Sequence, residues 1–143
     1  MPIQAFTDEE RFAQAMGDLA FFQFGTLGWI RERGLDLDDY CRYLGESAAS
    51  AWPSDMTATT IASYIALNVS SCGVMTATAE GDDSEARVRI TGPDEETLSD
   101  TCADRSDVGR QIEVVFGTIL ERLGHTISVQ ATGDALVATI RPT

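Results

Sequence analysis

Lysine is absent from this chain of 143 residues: all ten basic side chains are arginine, against 23 acidic ones, for a formal charge of -13 and a pI near 4.2. Without lysine there is no Schiff-base chemistry, no lysine-bound pyridoxal cofactor and no GxxxxGK phosphate loop. The acidic balance repels nucleic acid and anionic membrane surfaces, so neither is expected as a partner. Cysteine is scarce and odd in number; Cys41, Cys72 and Cys102 sit at irregular spacing, which fits a reducing compartment and not a disulfide framework. Histidine occurs once, at His125, and with so few soft ligands at no recognised spacing no metal site is expected. No apolar run is long enough to span a bilayer, and Met1-Pro2-Ile3-Gln4 lacks the basic region and apolar stretch of a leader. The expectation is a soluble, cytoplasmic protein without a cofactor. No GxSxG, HExxH, GxGxxG or EF-hand spacing occurs.

What is present is a pair of hairpins, Met75 to Ile90 and Ile127 to Ile140, separated by an amphipathic helix. Gly133-Asp134 is a two-residue, glycine-first turn, so Thr132 faces Ala135. Counting outward pairs Ala131 with Leu136, Val129 with Ala138 and Ile127 with Ile140. Turn chemistry and apolar pattern thus agree on one register, and a slip by one residue would turn the whole apolar set to solvent. In the first hairpin, a Gly81-Asp82-Asp83-Ser84 loop sets Glu80 against Glu85, Ala79 against Ala86, Ala77 against Val88 and Met75 against Ile90. Like charges at Glu80 and Glu85 would cost a few tenths of a kcal/mol, roughly, which Arg87 can offset. Between the hairpins Val108, Ile112, Val115, Phe116, Ile119 and Leu123 form one apolar stripe, capped by Ser106 or Asp107 and ended at Gly124.

The N-terminal half reads as three helices. Thr7 to Glu10 is a capping box, and Phe12, Met16, Leu19, Ala20, Leu27 and Ile30 follow on one face of a helix ending at Gly34, with a kink or break placed near Gly25. Asp36 opens a second helix through Cys41, Leu44, Ala48 and Trp52, stopped by Pro53. Ser54 caps a third through Ala58, Ile61, Ala62, Ile65 and Val69 to about Ser71, its stripe interrupted at Asn68. Residues 92–105 form an acidic loop or short helix. The fold class is therefore α+β in a single domain, 1–143. About three N-terminal helices (7–71) and one further helix pack on a four-stranded, largely antiparallel sheet of ββαββ order (73–141), with the strand order between the hairpins open. In layout, a helical half before a hairpin–helix–hairpin half is similar to the small-molecule-binding α+β domains of the vinyl reductase type. The cysteine-rich end of that type has no counterpart here, and no residue roles transfer.

Ten of the eleven aromatic residues lie in the first 64 positions, and only Phe116 falls in the sheet half. The inward sheet face is small, with Ala77, Ala79, Ala86, Ala131 and Ala138, so close packing requires bulk from elsewhere. Aromatics of the helical half, a second subunit or a ligand can supply it. The leading expectation is a non-enzymatic domain binding or sensing a small apolar or amphipathic molecule, acting as a homodimer. The residues expected to line its pocket are Phe21, Phe24, Trp29, Tyr40, Trp52, Tyr64 and Phe116, with Tyr and Trp tips orienting the ligand. One alternative is a hydrolase that uses Cys72 or Cys102 with His125, which requires a thiol within hydrogen-bond reach of the imidazole. The other is a structural or interaction subunit with a filled core and no ligand. The carboxylates Asp94, Glu95 and Glu96 read as a solvated acidic run, and Asp82 and Asp83 as turn residues.

Overall fold

Each helix starts on a side chain that satisfies its first free amides, and these caps fix most of the element boundaries. The computed structural model describes residues 5–143; Met1–Gln4, on which the reading of the extreme N-terminus rests, lies outside them. Helix α1 spans Asp8–Arg33, and the expected box is formed, with Glu10 N donating to Thr7 Oγ1 (3.1 Å) and Thr7 N to Glu10 Oε2 (2.9 Å). It ends on Gly34 in the left-handed region, φ 64°, and runs without a break through Gly25. Asp36 caps α2, Leu37–Ala49, which stops before the expected Trp52. Thr57, not Ser54, caps α3, Ala58–Ser70. The α3 start is also tied to the first hairpin, because Asp83 Oδ1 accepts from Thr59 Oγ1 (2.6 Å) and Thr59 N (3.3 Å). These hydrogen bonds at a helix N-terminus hold the Asp83 carboxyl below the usual range.

Strands β1 (Thr76–Gly81) and β2 (Ala86–Thr91) form the first hairpin; the acidic segment that follows contains the short helix α4, Glu95–Thr101. Helix α5 covers Arg105–Glu121, with Asp104 and Asp107 in a reciprocal cap two residues earlier than the sequence suggests. Strands β3 (His125–Thr132) and β4 (Ala135–Pro142) complete one antiparallel sheet of order β1-β2-β4-β3. Thus β2 and β4 are central, and the two hairpins join through them.

The second hairpin has the expected register throughout, from Thr132 opposite Ala135 to Ile127 opposite Ile140. The first is displaced: Gly81 faces Ala86, Glu80 faces Arg87, Ala79 faces Val88 and Ala77 faces Ile90. Asp82 is the cause, since its Oδ1 accepts from Ser84 N (2.8 Å) and Glu85 N (3.2 Å) and its own amide donates to Glu85 O (3.0 Å), which closes the loop one residue later. The expected Glu80–Glu85 repulsion is removed, and Glu85 instead pairs with Arg87 and Arg141. Because the offset is two positions across the pair, the inward face is unchanged.

That face is covered by α3 over β1 and β2 and by α5 over β3. The bulk opposite the alanines is aliphatic: Ile61 and Ile65 from α3 and Val108, Ile112, Ile119 and Leu120 from α5 are all buried with Val88, Ile90, Ala138 and Ile140. At Gly109 and Gly117 of α5 a Cβ would make only ordinary contact, 3.5 Å from Leu136 and 3.5 Å from Ile127 respectively, so this layer spacing does not depend on glycine. Helix α2 lies on α5 at Gly45, where a Cβ would come within 2.6 Å of Thr118 Cβ; α1 lies on α4 at Gly28, where it would come within 1.7 Å of the Thr101 carbonyl oxygen. No helix among the described residues is long and apolar enough to cross a membrane.

Candidate functional site

Helix α5 brings Gln111, Ile112, Val115 and Phe116 to one groove, positions one turn apart on the same face. Gln23 of α1, Leu44 of α2, Asn68 and Val69 of α3 and Met75, just before β1, complete its lining. The groove holds about 190 Å³ and is apolar except for its amides. Gln111 is only 8 % exposed. One end of its carboxamide accepts a long hydrogen bond from Gln23 Nε2 (3.4 Å), and its other end has no protein partner among the described residues. No fully buried side-chain nitrogen or oxygen there lacks a partner, so that free end meets accessible space. Asn68 spends its amide on the Tyr64 carbonyl (2.8 Å).

The seven expected pocket residues separate into groups. Trp52, Tyr64 and Phe116 come together: the Trp52 ring lies 5.5 Å from Tyr64 and 5.9 Å from Phe116, the latter edge to face. Phe116 belongs to both this cluster and the groove. Phe24 is fully buried in the main core. Phe21 and Trp29 are exposed on the outward side of α1, where with Phe22 they border a shallow depression of about 260 Å³. Tyr40 is half-buried near the start of α2, and burial pushes its phenol up. The groove's amides were not among the expected residues. Their signals are in the sequence nonetheless: Gln111 stands at an apolar-stripe spacing, three after Val108, and Asn68 is the residue that interrupts the α3 stripe.

The Cys72 thiol stands apart from the imidazole. His125 Nδ1 lies 2.8 Å from the Leu123 carbonyl oxygen, and His125 begins β3 at one edge of the sheet. Cys72 is buried beside the other edge, before β1, with its Sγ donating to Val69 O (3.4 Å). Three strand spacings of about 4.8 Å separate those edges, far beyond hydrogen-bond reach. Cys102 is exposed, and hydrogen bonding to Glu32 raises its thiol pKa. Burial, reinforced by the Asp38 charge, pushes Cys41 up to about 11. Neither shift produces the thiolate that a nucleophile needs.

A charged network ties α2, α5 and β3. Arg110 grips Asp38 with Nε and Nη2 (2.8 and 2.6 Å) and Glu113 with Nη1 (2.8 Å), while Glu113 Oε2 accepts from Val129 N (2.7 Å). Every charge in it has a partner, and its chemistry is that of a clamp between elements. No three or more histidine, cysteine or acidic side chains gather into a potential metal cluster among the described residues.

Fold and site together define an α+β domain with an interhelical groove of mixed apolar and amide character. No family model matches the chain, and no curated protein matches it. Among solved structures, one described as a bacterial phosphotransferase is similar over 57% of this chain and 47% of its own, at 18% identity and a TM-score of 0.29. The chain thus spans about half of that structure, and an overlap of this extent carries neither fold nor activity across.

Proposed function

We propose that the domain binds or senses a small amphipathic molecule in the groove between α1, α2, α3 and α5, without catalysing a reaction on it. The observation that carries this reading is the free end of the Gln111 carboxamide, which opens into a largely apolar groove from a residue that is itself nine-tenths buried. The open end faces accessible space in the groove, so a ligand that supplies the hydrogen bond replaces water there, with a net gain of about 1 kcal/mol. The remaining lining, Leu44, Val69, Met75, Ile112, Val115 and Phe116, rewards an apolar body. A volume of about 190 Å³ lies under the roughly 300–1,000 Å³ of sites for drug-sized ligands, so the fitting molecule is a short chain or single ring with an amide or acid head. The aromatic cluster of Trp52, Tyr64 and Phe116 stiffens the α3 and α5 walls from behind.

Titration with hexanamide and hexanoic acid, followed by amide chemical shifts, tests the reading. Saturable shifts at Gln23, Gln111 and Phe116 are expected, and Gln111→Leu should weaken binding about tenfold, the loss of one hydrogen bond to a buried partner. Val115→Trp should abolish it by filling the groove. Binding that is unchanged in both variants, or no saturable shifts with either compound, would rule the groove out.

A further inference from the structure

Helix α1 carries a second apolar face that none of the described residues covers. Its buried residues, Ala20, Phe24, Leu27, Gly28 and Ile30, begin only at the middle of the helix and lie on the side toward α4 and the core. On the opposite side Phe12, Ala15, Leu19, Phe22, Thr26 and Trp29 follow one another in alternating steps of three and four residues, the spacing of a coiled-coil seam. The four large members are 49–68 % exposed: Phe12 66 %, Leu19 49 %, Phe22 68 % and Trp29 52 %. Thr26 fits this seam because its hydroxyl is already spent on the Phe22 carbonyl (2.7 Å), leaving its methyl outward.

We infer that this seam is occupied by α1 of a second copy of the chain, running antiparallel about a two-fold axis between Ala20 and Phe21. The seam is palindromic about that point. Phe12 falls opposite Trp29 of the second copy, Ala15 opposite Thr26 and Leu19 opposite Phe22, so small residues meet small and large meet large in every layer. One step beyond each end the same symmetry sets Asp8 against Arg33, and beside the end layers Arg11 against Glu32. Opposite charges therefore close both ends of the seam, whereas a parallel pair would set Asp8 on Asp8 and Arg33 on Arg33. The helix dipoles also oppose one another in the antiparallel arrangement. Both end residues are within reach of it: Asp8, which pairs with Arg11 of its own helix, is almost fully exposed, and Arg33 stacks over Trp29, 5.7 Å from its ring centre.

The area is sufficient. At 26 residues α1 is about 39 Å long. The large seam side chains of two copies would remove roughly 800 Å² of apolar surface from water before flanking groups such as the Arg11 stem are added. That brings the pair to the lower range of stable interfaces, about 1,200 Å². With a charge of -13 on each copy, the bodies repel at a distance, so association should tighten as salt rises to about 0.15 M, where charges are screened beyond about 8 Å. This pairing is independent of the groove, and either can hold without the other.

The test is the molar mass of the full chain by light scattering on a sizing column in 0.15 M salt, loaded at about 100 μM. Twice the chain mass of 15.5 kDa is expected. Phe22→Glu should return the chain to a monomer with unchanged far-ultraviolet circular dichroism; Phe12→Glu, farther from the core, does the same if the first variant misfolds. Orientation is read by charge exchange: Asp8→Arg and Arg33→Asp should each weaken the dimer several-fold, and the double variant should restore it to within about twofold. Only an antiparallel seam gives that rescue. A wild-type monomer, a dimer indifferent to both glutamate variants, or a dimer without the charge rescue would overturn the inference.

Discussion

Helices α1 and α5 carry similar proportions of apolar residues and use them in opposite ways. In α5, 17 residues long, seven residues from Val108 to Leu120 are buried, between the sheet and the neighbouring helices. In α1, 26 residues long, nothing before Ala20 is buried, and Phe12, Leu19, Phe22 and Trp29 face outward. An apolar stripe therefore identifies a face that needs covering; it does not identify what covers it. For α5 the cover is β3 and α2 of the same chain, and for the outer face of α1 it is another molecule under the pairing inferred above. Within α1 the boundary falls near Ala20, where one helix passes from projecting arm to core element.

The sharpest way to break this comparison is to truncate neighbouring aromatics on either side of α1. Phe24→Ala removes a fully buried ring and should cost about 3–5 kcal/mol. Phe22→Ala, two residues away and 68 % exposed, should cost under about 0.5 kcal/mol in a dilute monomer. Urea denaturation at about 1 μM measures both. Equal costs would mean that the outer face is already covered within the chain.

Glycines sharpen the same contrast. A methyl group on Gly28 would overlap the Thr101 carbonyl, so Gly28→Ala should destabilise by about 2–3 kcal/mol through displacement of α4. Gly17 has open space around it; Gly17→Ala should strengthen the projecting half of α1 by about 0.5–1 kcal/mol, seen as slower amide hydrogen exchange from Phe12 to Leu19. Faster exchange there after the substitution would count against a free arm.

How far the sequence was legible follows the range of the interactions. The α+β class, the caps at Thr7 and Asp36, and the whole register of the second hairpin rest on local chemistry, and Gly133-Asp134 leaves that register no freedom. The first hairpin has a longer loop, and side-chain bonds of Asp82 decide where it closes, which alternation of apolar residues does not encode. The expectation that aromatics, a second subunit or a ligand supply the bulk opposite the alanine-lined face missed another solution to the same volume problem: Ile61 and Ile65 of α3 with Val108, Ile112, Ile119 and Leu120 of α5. Of the seven expected pocket residues only Trp52, Tyr64 and Phe116 converge, because pairing between helices depends on crossing points such as Gly45 and Gly28 that no periodicity reveals. Gln111 and Asn68 were visible only as flaws in apolar stripes, and a flaw shows its purpose only once the facing helices are in place.

The last effect concerns the ion pair that ties α5 to α2. Arg110 beside Asp38 holds that carboxyl below its ordinary range, with partial burial acting against the shift. Since the folded state binds the proton less tightly than the unfolded chain, this ion pair stabilises above the unfolded pKa near 4 and loses its contribution as the pH falls through the lower, folded value. Asp38→Asn should therefore cost about 0.5–1 kcal/mol at pH 7, discounted for side chains 32 % and 47 % exposed, and progressively less below about pH 4. Urea midpoints of both proteins from pH 7 down to pH 3 provide the check. Curves that stay parallel through that window would show that Arg110 touches α2 only by packing, with the Asp38 charge contributing nothing. The α5–α2 contact would then rest on shape alone, as the contact of α1 with α4 does at Gly28.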